Sequence, residues 1–257
     1  MAKDSHHRNM ERPQAVLFDL DDTLYDHLHS ARQGLISLSR RHLTLRDVPV
    51  PVLEERYSQA LEKSHLQMLR GDLTQTEARS RRMQEFFGSF QMPLTDDAAI
   101  AEHGRFRHDC DQAFELVQGA GEILRRLREL EIRMAIITNN LVSEQISKLK
   151  QLGIEDYFEV VSISEEVGVS KPDPEIFEVT LDRLSLQANE VVMVGDSLES
   201  DIRGAQAAGI RTVWLKRRPE LQGQLPTGIA VIERDFLKHE ESLARILNHR
   251  AKATPGN

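Results

Sequence analysis

Ala15-Val16-Leu17-Phe18-Asp19-Leu20-Asp21-Asp22-Thr23 decides the fold. Its first four residues form an apolar run of strand length, and the polar Asp-Asp-Thr segment that follows turns the chain. A run without alternation suits a strand buried on both faces of a parallel sheet. The same kind of run recurs at Met134–Ile137, Val160–Ile163, Val191–Val194 and Thr212–Leu215, and more weakly at Ile229–Ile232. Helical spacing lies between these runs, as at Glu122–Leu130 and Glu144–Leu152, and a last helix is expected near Leu237–Leu247. Strands that alternate with helices predict a doubly wound parallel α/β sheet.

Between about Asp26 and Glu115 the rhythm changes. Leu28–Leu43, Val52–Leu69, Thr76–Phe90 and Ala98–Leu116 each repeat their apolar residues at helical spacing. Breaks at Val48–Pro51, Gly71-Asp72 and Pro93 separate them, and Gly119-Ala120-Gly121 marks the return to the sheet. An all-helical domain over residues 26–115, inserted into a sheet domain made of 1–25 and 116–257, is the expected organisation.

Composition limits what such a chain can do. A net charge of −8 argues against general binding to a nucleic-acid polymer, which needs a basic surface. The polar residues 1–12 lack an apolar signal core, and no run reaches membrane-span length, so a cytoplasmic protein without a membrane partner is expected. The single Cys110 excludes an internal disulfide framework and a thiolate metal cluster.

Four short segments carry chemistry. In Asp19-Leu20-Asp21, residues two apart on an extended chain project to one side, so the two carboxylates could share a site. One can act as a nucleophile beside a cation while the other transfers protons. Ile136-Ile137-Thr138-Asn139-Asn140 ends an apolar strand in small polar residues before a helix, whose free N–H groups with the Thr138 hydroxyl form an anion site. Ser170-Lys171-Pro172-Asp173-Pro174 fixes a lysine in a stiff segment, where it can neutralise carboxylate and phosphoryl oxygens. Val191–Ser197 ends in Gly195, which allows a close turn, and Asp196, a hard oxygen ligand suited to Mg²⁺, with Asp201 behind it and Gly204 and Gly209 in the next helical stretch. Each segment alone has a plain reading, as an acidic turn, a helix cap or, for Lys171, a solvated lysine. All four lie at or beyond the carboxyl ends of expected parallel strands, where open α/β sheets bind ligands.

In order and content these segments resemble the haloacid dehalogenase superfamily: D-x-D-x-T at Asp19–Thr23, the hydroxyl motif at Thr138, the lysine motif at Lys171 and G-D-S-x-x-x-D at Gly195–Asp201. The resemblance covers about residues 13–25 and 118–235, and implies a Rossmann-like core with the helical insertion as the cap that follows the first motif. It further implies a phosphatase in which Asp19 is the nucleophile and Asp21 the general acid and base. Asp19, Asp196 and the backbone carbonyl of Asp21 would bind Mg²⁺. Thr138 and the N–H of Asn139 would hold the phosphoryl group, and Lys171 would orient Asp19. Thr23, Ser197 and Asp201 would support these groups.

Asp21 distinguishes phosphate chemistry from dehalogenation, since dehalogenases of the superfamily lack the second acid. A sugar phosphomutase is one alternative. A phosphonate hydrolase is another, and would need a cap lysine, for which Lys63 is the only one in the insertion. A non-enzymatic phosphate-binding signalling module is the alternative from another class, although receivers carry their aspartate on a later strand. The expected substrate is a small phosphorylated metabolite. Arg79 and Arg82, three apart on one expected helix, share a face and could hold its remote portion.

Overall fold

In a computed structural model, residues 12–69, 72–217 and 229–248 are described. The chain divides into two compact units, one made of residues 1–26 and 116–257 and the other of 27–115.

The first unit is built on six parallel strands: β1 (Ala15–Phe18), β2 (Arg133–Thr138), β3 (Val160–Ile163), β4 (Val191–Gly195), β5 (Arg211–Lys216) and β6 (Ala230–Glu233). Their spatial order is β3-β2-β1-β4-β5-β6, the doubly wound Rossmann-like order. The strands expected from apolar runs are all present: β1 and β3 have the expected bounds, β2, β4 and β5 run one residue further at one or both ends, and β6 begins one residue later than expected, at Ala230. In β1 all four residues are buried, which is why no alternation appears in its sequence. Ala15 and Leu17 pack with Ala135, Ile137, Val191 and Met193 against Ile176, Phe177 and Leu181 of one helix. Val16, Phe18, Ile136 and Val194 are buried as well, so both faces are covered.

The helices of this unit are α5 (Ala120–Glu129), α6 (Val142–Leu152), α7 (Ser164–Val167), α8 (Pro174–Leu184), α9 (Gly204–Ala207) and α10 (His239–Leu247), with a π-helical turn at Leu198–Arg203. Gly209 is not within the helical stretch, as expected from sequence, but follows it with φ of +76°, a conformation that suits glycine.

The second unit contains α1 (His27–Arg41), α2 (Val50–Leu69), α3 (Gln75–Gly88) and α4 (Asp96–Asp111). The Thr74 hydroxyl accepts the N–H of Glu77 while Glu77 returns a bond to the Thr74 N–H, so a capping box starts α3. Thr95 caps α4. Leu35, Leu38, Leu53, Tyr57, Phe86 and Phe106 are among the residues that form its core. The fourth helix stops at Asp111 rather than Leu116, because Leu116 bridges to Tyr25 in the sheet unit. Val50 and Pro51 belong to the first turn of α2 instead of a break before it, a position that tolerates proline. Asp26 belongs with the sheet unit, where Arg217 pairs with it at 2.7 Å. Gly71, half of one expected break, lies outside the described residues.

Among the described residues no helix is long and apolar enough to cross a membrane.

Candidate active site

The strand order reverses between β1 and β4, and the residues that follow these two strands are therefore neighbours. Phe18 stands opposite Val194, and the Asp19 N–H donates to the Val194 carbonyl at 3.0 Å. Asp19 thus leaves β1 beside Gly195 and Asp196. A carboxylate oxygen of each of Asp19, Asp196 and Asp201 lies within 4.8 Å of the others.

Lys171 supplies the positive charge of this cluster. Its ammonium donates to Asp19 Oδ1 at 2.6 Å, Asp201 Oδ1 at 2.7 Å and the Ile137 carbonyl at 2.7 Å. All three of its protons are therefore engaged. The chain that carries Lys171 is held by Asn139, whose Oδ1 accepts the Lys171 N–H at 2.9 Å and whose Nδ2 donates to the Lys171 carbonyl at 3.0 Å. Asn139 thus acts through its side chain, a use the sequence reading missed. Burial alone would lower the Lys171 pKa, but Asp19 and Asp201 outweigh it and raise it, so the ammonium stays charged. Asp19 moves in the other direction: burial, Asp201 and Asp21 push its carboxyl up to about 7 against the pull of Lys171. The cluster holds more negative charge than one lysine balances.

The loop after β4 is built around Asp201. Its Oδ2 accepts the Ser197 N–H at 2.9 Å while Oδ1 serves Lys171, so both oxygens are used. A Cβ on Gly195 would lie 2.4 Å from Asp201 Oδ2, which requires glycine there. Ser197 accepts the Ser200 N–H with its hydroxyl and opens the π-helical turn. Trp214, expected as a packing residue, also donates its indole N–H to the Asp196 carbonyl at 2.8 Å.

Asp21 occupies a different environment. Its carboxylate receives Lys148 Nζ at 2.5 and 2.8 Å and Gln145 Nε2 at 3.1 Å. Gln145 Nε2 also reaches the Thr138 hydroxyl oxygen at 2.5 Å. Neither Gln145 nor Lys148 was singled out from sequence. The three residues Gln145, Lys148 and Leu149 share one helical face, but that this face is buried is known only from the fold, so the sequence held no signal for the two polar ones.

The expected anion site at the start of α6 is narrower than foreseen. The Asn140 N–H donates to Ser164, the Leu141 N–H to the Asn140 side chain and the Val142 N–H to Glu165. These groups are already satisfied, which leaves Thr138 and Asn139 as the phosphoryl-facing candidates of this segment. Thr23 is fully buried, and its hydroxyl has no hydrogen-bond partner among the described residues.

In the helical unit, the Arg82 guanidinium lies 5.9 Å from the centre of the Tyr57 ring, with Nη1 3.4 Å from the Tyr57 hydroxyl. Arg79 is half-buried. Lys63 pairs with Glu85 at 2.7 Å on the surface.

The family model of haloacid dehalogenase-like hydrolases matches residues 13–209. The chain belongs to this family. It is a hydrolase of the family, and the curated proteins it resembles include several phosphatases. A ribulose-1,5-bisphosphate 5-phosphatase of Halopiger xanaduensis is 34% identical over 203 residues, 77% of this chain and 83% of that protein. A glyceraldehyde 3-phosphate phosphatase of Methanopyrus kandleri is 32% identical over 209 residues, 79% of this chain and 84% of that protein. Among solved structures, the magnesium-bound HAD-hydrolase YfnB of Bacillus subtilis superposes with a TM-score of 0.74 at 24% identity, covering 93% of this chain and 100% of that one. That likeness speaks for the fold.

Proposed function

We propose that this chain is a magnesium-dependent phosphatase that hydrolyses a small soluble phosphomonoester through a phosphoaspartyl intermediate on Asp19. The observation that carries the reading is the cluster in which Lys171 bridges Asp19 and Asp201 beside Asp196. Three hard carboxylates with one cation among them suit a divalent ion. Asp19, Asp196 and the backbone carbonyl of Asp21 would hold Mg²⁺, which when bound neutralises charge on the phosphoryl oxygens.

An Asp19 oxygen attacks phosphorus, the bond from phosphorus to the ester oxygen breaks, and Asp21 gives that oxygen its proton. Water then attacks the phosphorus of the aspartyl phosphate, Asp21 takes the proton, and inorganic phosphate leaves with Asp19 restored. Lys171 keeps Asp19 aimed, while Thr138 and the Asn139 N–H hold the transferring group. Phosphoryl transfer asks for such positioning and charge neutralisation more than for elaborate covalent chemistry. Thr23, Ser197 and Asp201 brace the loops that carry these groups.

The relatives that are phosphatases are named for small phosphorylated metabolites, and a substrate of that class is proposed here. At least one of Arg79 and Arg82 holds its remote portion.

A panel of soluble phosphomonoesters assayed with Mg²⁺ and with EDTA tests the reading. Activity should require the metal, vanish in Asp19→Asn and leave a beryllium fluoride adduct on Asp19. Turnover in Asp19→Asn at the wild-type rate removes the mechanism. Arg79→Ala and Arg82→Ala should selectively lower kcat/KM for the best natural substrate relative to nitrophenyl phosphate, and unchanged ratios in both remove the arginine assignment.

A further inference from the structure

Lys148 is an ammonium on the buried face of α6, where it is almost fully removed from solvent. Taking a lysine out of water costs several kcal/mol, and replacing a buried ion pair by packed apolar groups is often neutral or stabilising. Stability therefore gives little reason for a lysine here. Its contacts suggest another reason. Nζ approaches both oxygens of Asp21, at 2.5 and 2.8 Å, and lies 5.4 Å from the centre of the Tyr25 ring. The ammonium is thus fixed between a buried aromatic face and one carboxylate.

Gln145 fixes the same carboxylate from the preceding turn. It is fully buried, and its Oε1 has no hydrogen-bond partner among the described residues. An unsatisfied buried oxygen is unfavourable, so its orientation needs a reason. Turning the amide over would aim Oε1 at the Asp21 carboxylate, which needs donors, so Asp21 sets the orientation. In that orientation Nε2 donates to Asp21 and to the Thr138 oxygen together. The Thr138 hydroxyl, accepting from Gln145, has its own proton left to donate elsewhere.

We propose that Lys148, assisted by Gln145, is the positioning residue for Asp21: it clamps the proton-transferring carboxylate and ties it, through Gln145, to the hydroxyl that faces the phosphoryl group. This inference rests on the reading of Asp21 as general acid and base. Lys148 acts through Asp21 and need not touch the substrate. An acid that swings freely would often be out of reach of the leaving oxygen, and small misplacements of reacting groups cost large factors in rate.

The test is a double-mutant cycle of wild type, Lys148→Met, Asp21→Asn and the pair, with Lys148→Arg as the conservative variant. Each is assayed with an alkyl phosphomonoester from the panel and with nitrophenyl phosphate, after circular dichroism has shown the native fold. Proton transfer is worth roughly 10²–10⁴-fold, so Lys148→Met should lower kcat for the alkyl ester by about 10-fold or more and for nitrophenyl phosphate by less than about 3-fold. In the Asp21→Asn background the same substitution should cost almost nothing, and Lys148→Arg should recover most of kcat. KM should change little throughout. Equal losses for both leaving groups, a further loss in the Asp21→Asn background or a rise in kcat each overturn the positioning role. If Lys148→Arg folds natively yet is as impaired for the alkyl ester as Lys148→Met, the clamp is also refuted. A loss in Asp21→Asn with none in Lys148→Met rejects the inference alone, whereas no loss in Asp21→Asn rejects the proton-transfer reading and the inference with it.

Discussion

Lys171→Met is the perturbation that most directly examines the charge cluster. Methionine keeps the length and most of the volume of the side chain, so packing changes little. What disappears is a buried cation and its three bonds, to Asp19, Asp201 and the Ile137 carbonyl. Removing one partner from a buried ion pair costs about 3–5 kcal/mol, because the other charge stays buried without compensation. Here two carboxylates are left, and the desolvation of the lysine itself is relieved, so the same range is expected. At roughly 2–4 °C per kcal/mol for a protein of this size, the transition of the sheet unit should fall by about 6–20 °C in EDTA. The single Trp214 is buried on β5, and its fluorescence follows that unit during urea or heat unfolding. Mg²⁺ should return part of the loss, since a dication at Asp19 and Asp196 replaces some of the missing positive charge. Turnover should be lost with or without the metal. A melting temperature in EDTA within about 2 °C of wild type would refute the reasoning, since a factor this small is below 1 kcal/mol.

Gly34→Ala addresses the helical unit, where the new Cβ would lie 2.6 Å from Cys110 Sγ and 2.8 Å from Phe106 Cε2. Alanine gains up to about 1 kcal/mol of helix propensity over glycine, but overpacking costs about 1–3 kcal/mol, so net destabilisation should appear in urea titrations followed by circular dichroism. Adding Cys110→Ala should relieve part of it, and a Gly34→Ala variant as stable as wild type contradicts the close packing. Burial pushes the Cys110 thiol up to about 12, so iodoacetamide at pH 8 should label it in denaturant and spare it in the folded protein. Trp214→Phe removes the indole N–H that holds the Asp196 carbonyl. A hydrogen bond worth about 1 kcal/mol corresponds to roughly 5-fold in apparent Mg²⁺ affinity, measured as the metal concentration for half-maximal activity; no change would mean that the bond does not position Asp196.

The parts of this molecule that are legible in sequence are those where one physical rule acts alone. A strand buried on both faces must be apolar throughout, and β1 and β4 announce themselves in that way. Asp19, Thr138 and Asp196 stand where such runs stop, and topology brings those stops together. The end of α4 was misplaced because Leu116 continues the apolar spacing past Asp111, although its partner is Tyr25, which is remote in sequence. Gln145 and Lys148 escaped for a related reason. A lysine on a helix is ordinarily solvated, and only the fold reveals that the face carrying Lys148 is turned to Asp21. The second role of Trp214 is equally hidden, since an apolar position explains the residue completely until the indole N–H is traced to Asp196.

The two carboxylates of Asp19-Leu20-Asp21 are chemically identical and two residues apart, yet the fold separates their environments. Asp19 is 7% exposed and shares Lys171 with Asp201, so its ammonium neighbour is divided between two acids. Its carboxyl is pushed up to about 7 mainly by burial, a state that a divalent cation would relieve by adding positive charge next to the oxygens. The Asp21 side chain is 28% exposed and has Lys148 to itself. A nucleophile gains from being desolvated and rigidly aimed, whereas a group that exchanges protons with a leaving oxygen and then with water must keep contact with solvent. Buried with a shared lysine, Asp19 meets the first requirement, and Asp21, partly open with its own lysine, meets the second. In the proposed mechanism the division of labour follows which lysine each aspartate faces. Lys171 reaches Asp19 from the loop that Asn139 holds, and Lys148 reaches Asp21 from α6, so exchanging the two roles proposed for these acids would require rebuilding both elements.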